Sequence, residues 1–213
     1  MPNTFETREQ WLIAAARRFE QFFIDQGYPL PTLRVTCGFP STRATGNGKR
    51  AIGQCWNPKA SADKTTEVMV SPVLGADDPM SVIGTLFHEL IHAAVGTECG
   101  HKGAFRKVAV AGGLEGKMTS TKEGDVFKAR AQPILDDLGP FPHAKLDPSL
   151  SGKKKQSTRL IKCECAACGY TVRVTAKWIA MGTPICPNED EETGDSHGQM
   201  VAHLPDETDD DEG

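Results

Sequence analysis

Length and composition favour a globular protein with one sizeable core and room for a smaller module. The chain has 213 residues, 38% of them hydrophobic, which allows one or two domains. No apolar run approaches the roughly 18 to 20 residues of a membrane span, and the N-terminal sequence MPNTFETREQ lacks the basic and apolar regions of a signal peptide. The composition therefore argues against a membrane protein, and we expect a cytoplasmic one.

Charge is segregated along the chain. The formal net charge is -4, but residues 189–213 hold eleven acidic side chains and no Lys or Arg, so residues 1–188 have 24 basic against 17 acidic side chains, a balance of +7. A basic body suits a polyanionic partner such as DNA, although an ordinary solvated surface has the same charges. Residues 205–213 are too acidic and too poor in apolar groups to order themselves, so we expect a disordered acidic tail.

The first predicted element is an amphipathic helix after Thr7, since apolar residues recur there at three- and four-residue intervals up to Gly27. Three short stretches rich in β-branched or aromatic residues then predict a small sheet: TLRVTCGF, AIGQCWN and TEVMVSP. The next helix is expected to begin after the N-cap Asp78 and to end at Gly96. Its almost wholly apolar surface predicts a central position in the core.

Two more helices are expected, from about residue 103 to 111 and within residues 122–138. Residues 146–157 are rich in Pro, Ser, Gly and Lys, which predicts a basic linker between a domain of residues 1–145 and a cysteine-containing module of residues 158–204. The elements together predict an α+β fold class, with helices on a small sheet followed by a second, smaller module.

The sequence HELIHAAVGTECGH starts on the predicted central helix. Residues four apart on a helix share one face, so His88 and His92 can direct two imidazoles to one zinc ion. Glu89 is rotated by about 100° from them, within reach of the open coordination position. Since zinc lowers the pKa of a bound water to about 7, Glu89 is the expected general base for attack on a peptide carbonyl.

A buried helix whose histidines bond to the backbone is the competing interpretation of this pattern. It is disfavoured because an unpaired imidazole or carboxylate in an apolar helix is costly, whereas a metal ion satisfies all three side chains together.

The third ligand is not fixed by the helix. In the extended form of this zinc motif, a third His lies six residues after the second His. Here that position is Glu98, so the extended motif is absent. His101 lies nine residues after His92, beyond a turn with two glycines that can return the chain to the metal. The rival ligands are Glu98, Glu115 and His143.

The segments LFHELIHAAVG and GHKGAF resemble those of the SprT-like (Spartan-related) zinc metalloproteases, over roughly residues 10–115. The sequence departs from that pattern at Lys102 and Ala104. The resemblance implies a zincin-like catalytic domain, a catalytic zinc held by His88, His92 and His101 with Glu89 as base, and a role in cleaving DNA-bound proteins, as in the repair of DNA–protein crosslinks. It also implies that TEVMVSP is the sheet edge along which an extended substrate binds.

A second metal site is predicted in the cysteine module. Cys165 and Cys168 form a C-x-x-C-G zinc knuckle, and Cys186 is a third ligand. We predict His197 as the fourth ligand rather than Cys163, because Cys163 lies only two residues before the first knuckle on a strand. The expected structure is a zinc ribbon with one structural zinc, and the alternative is a set of reduced thiols without metal.

The same module interleaves basic and aromatic residues: Arg159, Lys162, Arg173, Lys177 and Trp178. Such a pattern suits phosphate contact and base stacking, although a solvated face around a core Trp would give the same sequence.

The sequence therefore predicts a zinc metalloendopeptidase with one catalytic and one structural zinc ion, a protein substrate and DNA as a further partner. Two alternatives stay open. One is a zincin-fold regulatory or nucleic-acid-binding protein that does not cleave, which the presence of His88, Glu89 and His92 disfavours. The other is a processing peptidase with one dedicated substrate, whose ribbon docks proteins.

Overall fold

The chain is a mixed α+β protein, as predicted. The structure, a computed structural model, describes residues 5–41, 50–151 and 160–204. It divides into two compact units, Met1–Ser151 and Gly152–Gly213, which are described separately below.

The first unit combines helices with two small sheets. Its elements are α1 (Arg8–Asp25), β1 (Leu33–Cys37), β2 (Gly53–Trp56), β3 (Thr66–Val70), α2 (Pro79–Val95), α3 (Ala104–Gly112), β4 (Leu114–Lys117), β5 (Ser120–Glu123) and α4 (Asp125–Leu138). Short 3-10 turns lie at Pro58–Ala60, Thr97–Cys99 and Pro148–Ser151. The helices predicted near residues 103–111 and within 122–138 are confirmed as α3 and α4.

The three-stranded sheet has the order β1-β3-β2. Strand β3 pairs in parallel with β1 and antiparallel with β2, so that Val68 lies opposite Val35 on one side and Cys55 on the other. The prediction that TEVMVSP forms the sheet edge is therefore wrong, because β3 is the central strand. Within the described residues, β2 is an edge strand of this sheet.

Local capping signals set the bounds of α2. The Asp78 carboxylate accepts a hydrogen bond from the Ser81 backbone N–H at 3.0 Å, and Pro79 is the first helical residue. Gly96, with φ of 88°, follows the last residue of the helix. The predicted start and end of this helix are confirmed, since an Asp N-cap, a Pro in the first turn and a Gly at the C-terminus each favour a boundary.

Helix α2 lies at the centre of the first core. Its fully buried apolar side chains are Val82, Ile83, Leu86, Phe87, Leu90 and Ile91. The Phe87 ring centroid is 4.8 Å from that of Phe19 on α1 and 5.2 Å from that of Phe127 on α4. Truncating a buried Phe typically costs about 3–5 kcal/mol, so these rings fix the position of α2 and of the histidines that it carries.

A β-hairpin between α3 and α4 was not predicted. Strands β4 and β5 pair antiparallel, with Gly116 opposite Thr121. The segment LEGKMTSTKEG is mostly polar and lacks the apolar alternation by which strands are recognised. Its sequence signal is limited to the turn-forming glycines that flank the strands.

The second unit is a three-stranded sheet with one short helix. Its elements are β6 (Leu160–Glu164), β7 (Thr171–Thr175), α5 (Ala176–Ile179) and β8 (Val201–His203), and the strand order is β7-β6-β8. The buried side chains of its core are Cys163, Cys165, Cys186 and Met200. All seven cysteines of the chain are free thiols. A unit with so small an apolar core commonly needs a bound metal or a disulfide for stability.

Candidate metal centres

Three imidazoles of the first unit converge on one point. His88 and His92 lie one turn apart on α2, and His101 follows the 3-10 turn Thr97–Cys99. The Nε2 atom of His101 is 3.2 Å from Nε2 of His88 and 3.2 Å from Nε2 of His92. Nitrogen atoms bound to one tetrahedral zinc ion lie roughly 3.3 Å apart. The spacing of these three nitrogens therefore fits a shared zinc ion.

The electrostatics of the three histidines favour their neutral form. Burial, followed by the positive charges of His92 and His101, lowers the pKa of His88 to about 3. Burial and the charge of His101 lower the pKa of His92 to about 4, and burial lowers the pKa of His101. Neutral imidazole is the form that binds a metal ion. The cluster can therefore bind a cation at neutral pH without first losing protons.

The turn that carries His101 is shaped by glycine and tied to the sheet. Gly96 and Gly100 have φ values of 88° and 53°, in the left-handed region that glycine enters at little cost. The Asn57 side chain, just after β2, donates hydrogen bonds to Thr97 Oγ1 at 3.0 Å and to Glu98 Oε1 at 2.7 Å. These bonds hold the turn in place and so bring the chain back toward α2.

The structure separates the rival third ligands from this cluster. The Glu98 carboxylate accepts a hydrogen bond from the Asn57 side-chain amide, and its Oε1 atom lies 3.9 Å from Lys59 Nζ. Glu115 is exposed on β4, and His143 Nε2 lies 3.2 Å from the backbone oxygen of Glu6. In the described part of the chain, the group of possible ligands around His88 and His92 is completed by His101.

Glu89 lies beside the histidines and is only 7% exposed. Burial raises the pKa of its carboxyl to about 8. Strand β2 approaches this side chain closely, because a Cβ atom built on Gly53 would lie 2.5 Å from Glu89 Oε1 and 2.8 Å from Thr85 Cγ2. Gly53 was not identified from the sequence, where it is one glycine at the start of a short strand. Its role emerges only from the packing of β2 on α2.

An open cavity of about 860 Å³ surrounds the histidines and Glu89. Its walls are residues 50–53 and Cys55 on one side, and residues 119–123 on the other. Burial, followed by the negative charge of Glu89, raises the pKa of the Cys55 thiol to about 12, so Cys55 faces the cavity as a neutral thiol. The cavity thus lies between the edge strand β2 and the hairpin strand β5.

A second cluster in the other unit combines three thiols with an imidazole: Cys165, Cys168, Cys186 and His197. Their ligand atoms all lie within 4.8 Å of one another. The Sγ atoms of Cys168 and Cys186 are 3.6 Å apart, and Cys186 Sγ is 3.8 Å from His197 Nδ1. Sulfur atoms bound to one tetrahedral zinc ion lie roughly 3.8 Å apart. Cys163 is fully buried on β6 and is not part of this cluster.

Two tight turns and a pair of β-bridges build this second cluster. Gly169 and Gly198, next to Cys168 and His197, have φ values of 73° and 76°. Antiparallel bridges join Ile185 to Gln199 and Glu189 to Ser196. They bring His197 to Cys186 across the acidic segment of residues 189–195.

The environment of Cys168 favours the thiolate, which is the form that binds metal. The Tyr170 backbone N–H, followed by the Asn188 side chain, lowers the pKa of Cys168 to about 6. The Asn188 Nδ2 group donates to Cys168 Sγ at 3.4 Å. The residues of both clusters are therefore chemically compatible with zinc.

The basic and aromatic residues of the second unit have different environments. Lys162 Nζ forms an ion pair with Glu164 Oε2 at 2.6 Å. Trp178 is 54% exposed, with Lys177 Nζ 5.2 Å from its ring centroid, so the alternative of a core Trp is wrong. Arg159, the lysines of residues 153–155 and the predicted acidic tail of residues 205–213 lie outside the described residues.

Comparison with known proteins gives no further identification. No protein-family model, curated protein or solved structure matches the chain significantly. In the described ranges, no helix is both long and apolar enough to cross a membrane.

Proposed function

We propose that this protein is a zinc-dependent endopeptidase of SprT-like type, with a zincin-like first unit and a zinc-ribbon second unit. The observation that carries the proposal is the convergence of the Nε2 atoms of His88, His92 and His101 beside the buried carboxyl of Glu89. A catalytic zinc site needs three protein ligands and an open position. The cavity leaves room for a substrate at that position.

The zinc ligands would be His88, His92 and His101. Glu89 would accept the proton and pass it on. Zinc bound there supplies Lewis acidity toward a carbonyl oxygen and toward a water molecule. Without metal, burial raises the pKa of Glu89 to about 8, and a nearby cation favours the carboxylate form. The carboxylate can accept a proton from the attacking water and donate it to the departing amine, which is the role of a general base and then a general acid.

Strand β2 is the expected docking edge for the substrate backbone. It is an edge of its sheet in the described residues, it borders the cavity, and Gly53 brings it against Glu89. An extended peptide that adds to such an edge is recognised mainly through its main-chain hydrogen bonds. This mode of binding suits an endopeptidase with broad sequence tolerance.

DNA-associated proteins are the proposed substrates. Three features support this part of the proposal: the resemblance to SprT-like proteases, the balance of +7 over residues 1–188, and the exposed pair of Lys177 and Trp178. An exposed Trp beside a Lys offers a surface for base stacking and phosphate contact.

The substrate proposal is tested by comparing cleavage of one protein when bound to DNA and when free. We expect faster cleavage of the DNA-bound form, with an advantage that declines as salt rises, because phosphate contacts are salt-dependent. Trp178→Ala should reduce this advantage, whereas the matched control Val201→Ala, also at an exposed apolar residue of the second unit, should keep it. Equal cleavage of both forms at all salt concentrations would favour a processing peptidase with a dedicated substrate.

A further inference from the structure

A hydrogen bond connects the unpredicted hairpin to the first metal-ligand cluster. The Nδ1 atom of His88 lies 2.9 Å from Thr121 Oγ1 on β5. His92 differs, because its buried Nδ1 atom has no hydrogen-bond partner among the residues that the structure describes. His88 is therefore anchored on the side of its ring that faces away from the other histidines, and the anchor comes from outside α2.

We propose that Thr121 is a positioning residue for the metal centre, an inference that rests on the proposed zinc site. The Thr121 hydroxyl accepts a hydrogen bond from the Nδ1–H group of His88. A neutral imidazole protonated on Nδ1 carries its lone pair on Nε2. Since Nε2 of His88 faces His101 and His92, a bond in which Nδ1–H donates to Thr121 leaves the Nε2 lone pair for the ion and fixes the angle of the ring.

The hairpin fits α2 in a way that sets this contact. Residues two apart on a strand share a face and lie about 6.6–6.8 Å apart, and residues four apart on a helix rise by about 6 Å. Thr121 and Glu123 are the half-buried residues of β5, whereas Ser120 and Lys122 are exposed. The Thr121 side chain therefore contacts His88, and the Glu123 side chain lies against Gly84. The spacing of these two contacts is nearly the same along β5 and along α2.

Gly84 permits this close approach. A Cβ atom built on it would overlap the carboxyl group of Glu123. Position 84 lies one helical turn before His88 on the same face. The small residue on α2 therefore leaves room for the Glu123 side chain, which shares a face of β5 with Thr121.

The test compares metal affinity in full-length Thr121→Val and Thr121→Ser variants. Val keeps the size of Thr but removes the hydroxyl, and Ser keeps the hydroxyl. We expect Zn²⁺ affinity at the histidine site, measured by chelator competition, to fall about 10- to 100-fold for Val and to stay near the wild-type value for Ser. Titration with Co²⁺ separates this site from the thiolate site by absorption. Thr36→Val, at a half-buried Thr of β1 that does not line the cavity, is the matched control and should leave both affinities unchanged.

A second measurement needs no variant. Nitrogen-15 NMR of the metal-free wild-type protein should show His88 protonated on Nδ1. An Nε2–H tautomer of His88, or wild-type Zn²⁺ affinity in Thr121→Val, would overturn the positioning role. Failure of the proposed function is a different outcome, in which the wild-type histidine site binds neither Zn²⁺ nor Co²⁺.

Discussion

Gly53 on the edge strand β2 lies directly against Glu89 on the central helix α2, since a Cβ atom at position 53 would lie 2.5 Å from Glu89 Oε1. Real Cβ atoms do not approach an oxygen this closely without movement of one group. The glycine therefore connects the strand proposed to bind the substrate with the side chain proposed to move the proton.

Gly53→Ala should impair catalysis while zinc remains bound. The new methyl group displaces the Glu89 carboxyl, and a misplacement of about 1 Å in a catalytic group can reduce the rate by about 10²-fold. The measurement is kcat/KM on a peptide together with zinc content. Gln54→Ala is the control on the same strand, because the Gln54 side chain bonds to Ser41 instead. Full activity in Gly53→Ala would contradict the proposed contact.

His101→Ala should empty the first metal site. Two histidines on one helix are insufficient for a stable zinc site, which needs three protein ligands. The expected result is loss of one of two zinc ions per chain, measured by elemental analysis. His143→Ala should retain both ions, since His143 lies beside Glu6. Zinc loss in His143→Ala with retention in His101→Ala would reverse the assignment of the third ligand.

His197→Ala should release zinc from the second unit, whereas Cys163→Ser should retain it. His197 Nδ1 lies 3.8 Å from Cys186 Sγ, while Cys163 is buried on β6 outside the cluster. Zinc release is measured with a chelating dye, in which the thiolate-rich site should exchange more slowly than the open histidine site. Retention of this ion in His197→Ala would make Cys163 the better candidate.

Glu89 predicts a pH dependence of stability in the metal-free protein. Its pKa is raised from 4.5 to about 8 in the folded chain, so between these values the folded state holds a proton that the unfolded state releases. The contribution of Glu89 to the free energy of unfolding therefore falls as pH rises through this window. Glu89→Gln removes the cost of ionising this buried carboxyl. Its free energy of unfolding should therefore rise relative to that of the wild type, by up to roughly 1.4 kcal/mol for each pH unit within this window.

Urea unfolding at pH 5 and pH 8 in the presence of a chelator measures this difference. Glu20→Gln, on the exposed face of α1, is the control and should show the same small change at both pH values. An equal effect of Glu89→Gln at pH 5 and pH 8 would show that burial does not perturb the Glu89 carboxyl.

Sequence patterns predicted the features that depend on local chemistry. The bounds of α2 follow from Asp78, Pro79 and Gly96, whose capping preferences act within one or two turns. The position of His88 and His92 on one face of α2 follows from helical periodicity alone. These features could be predicted because the interacting groups are close in sequence.

Features that depend on distant pairing were missed. Strand β3 was expected at the sheet edge, but it is central because it also pairs in parallel with β1, which ends 29 positions before β3 begins. The hairpin that carries Thr121 has few apolar residues and gains its stability against α2, so no periodic pattern marks it. Gly53 could not be recognised for the same reason, since its contact with Glu89 joins two residues that are 36 positions apart in the sequence.

The most direct test of the central claim is cleavage of a DNA-bound protein by full-length wild type and by Glu89→Gln, with zinc content measured on the same samples. The wild type should cleave, and a chelator should abolish the activity. Glu89→Gln should keep about two zinc ions per chain and lose at least about 10²-fold in rate, because the amide cannot accept a proton from the attacking water. Chelator-resistant cleavage, or undiminished cleavage by Glu89→Gln, would contradict the proposed zinc-dependent proteolysis.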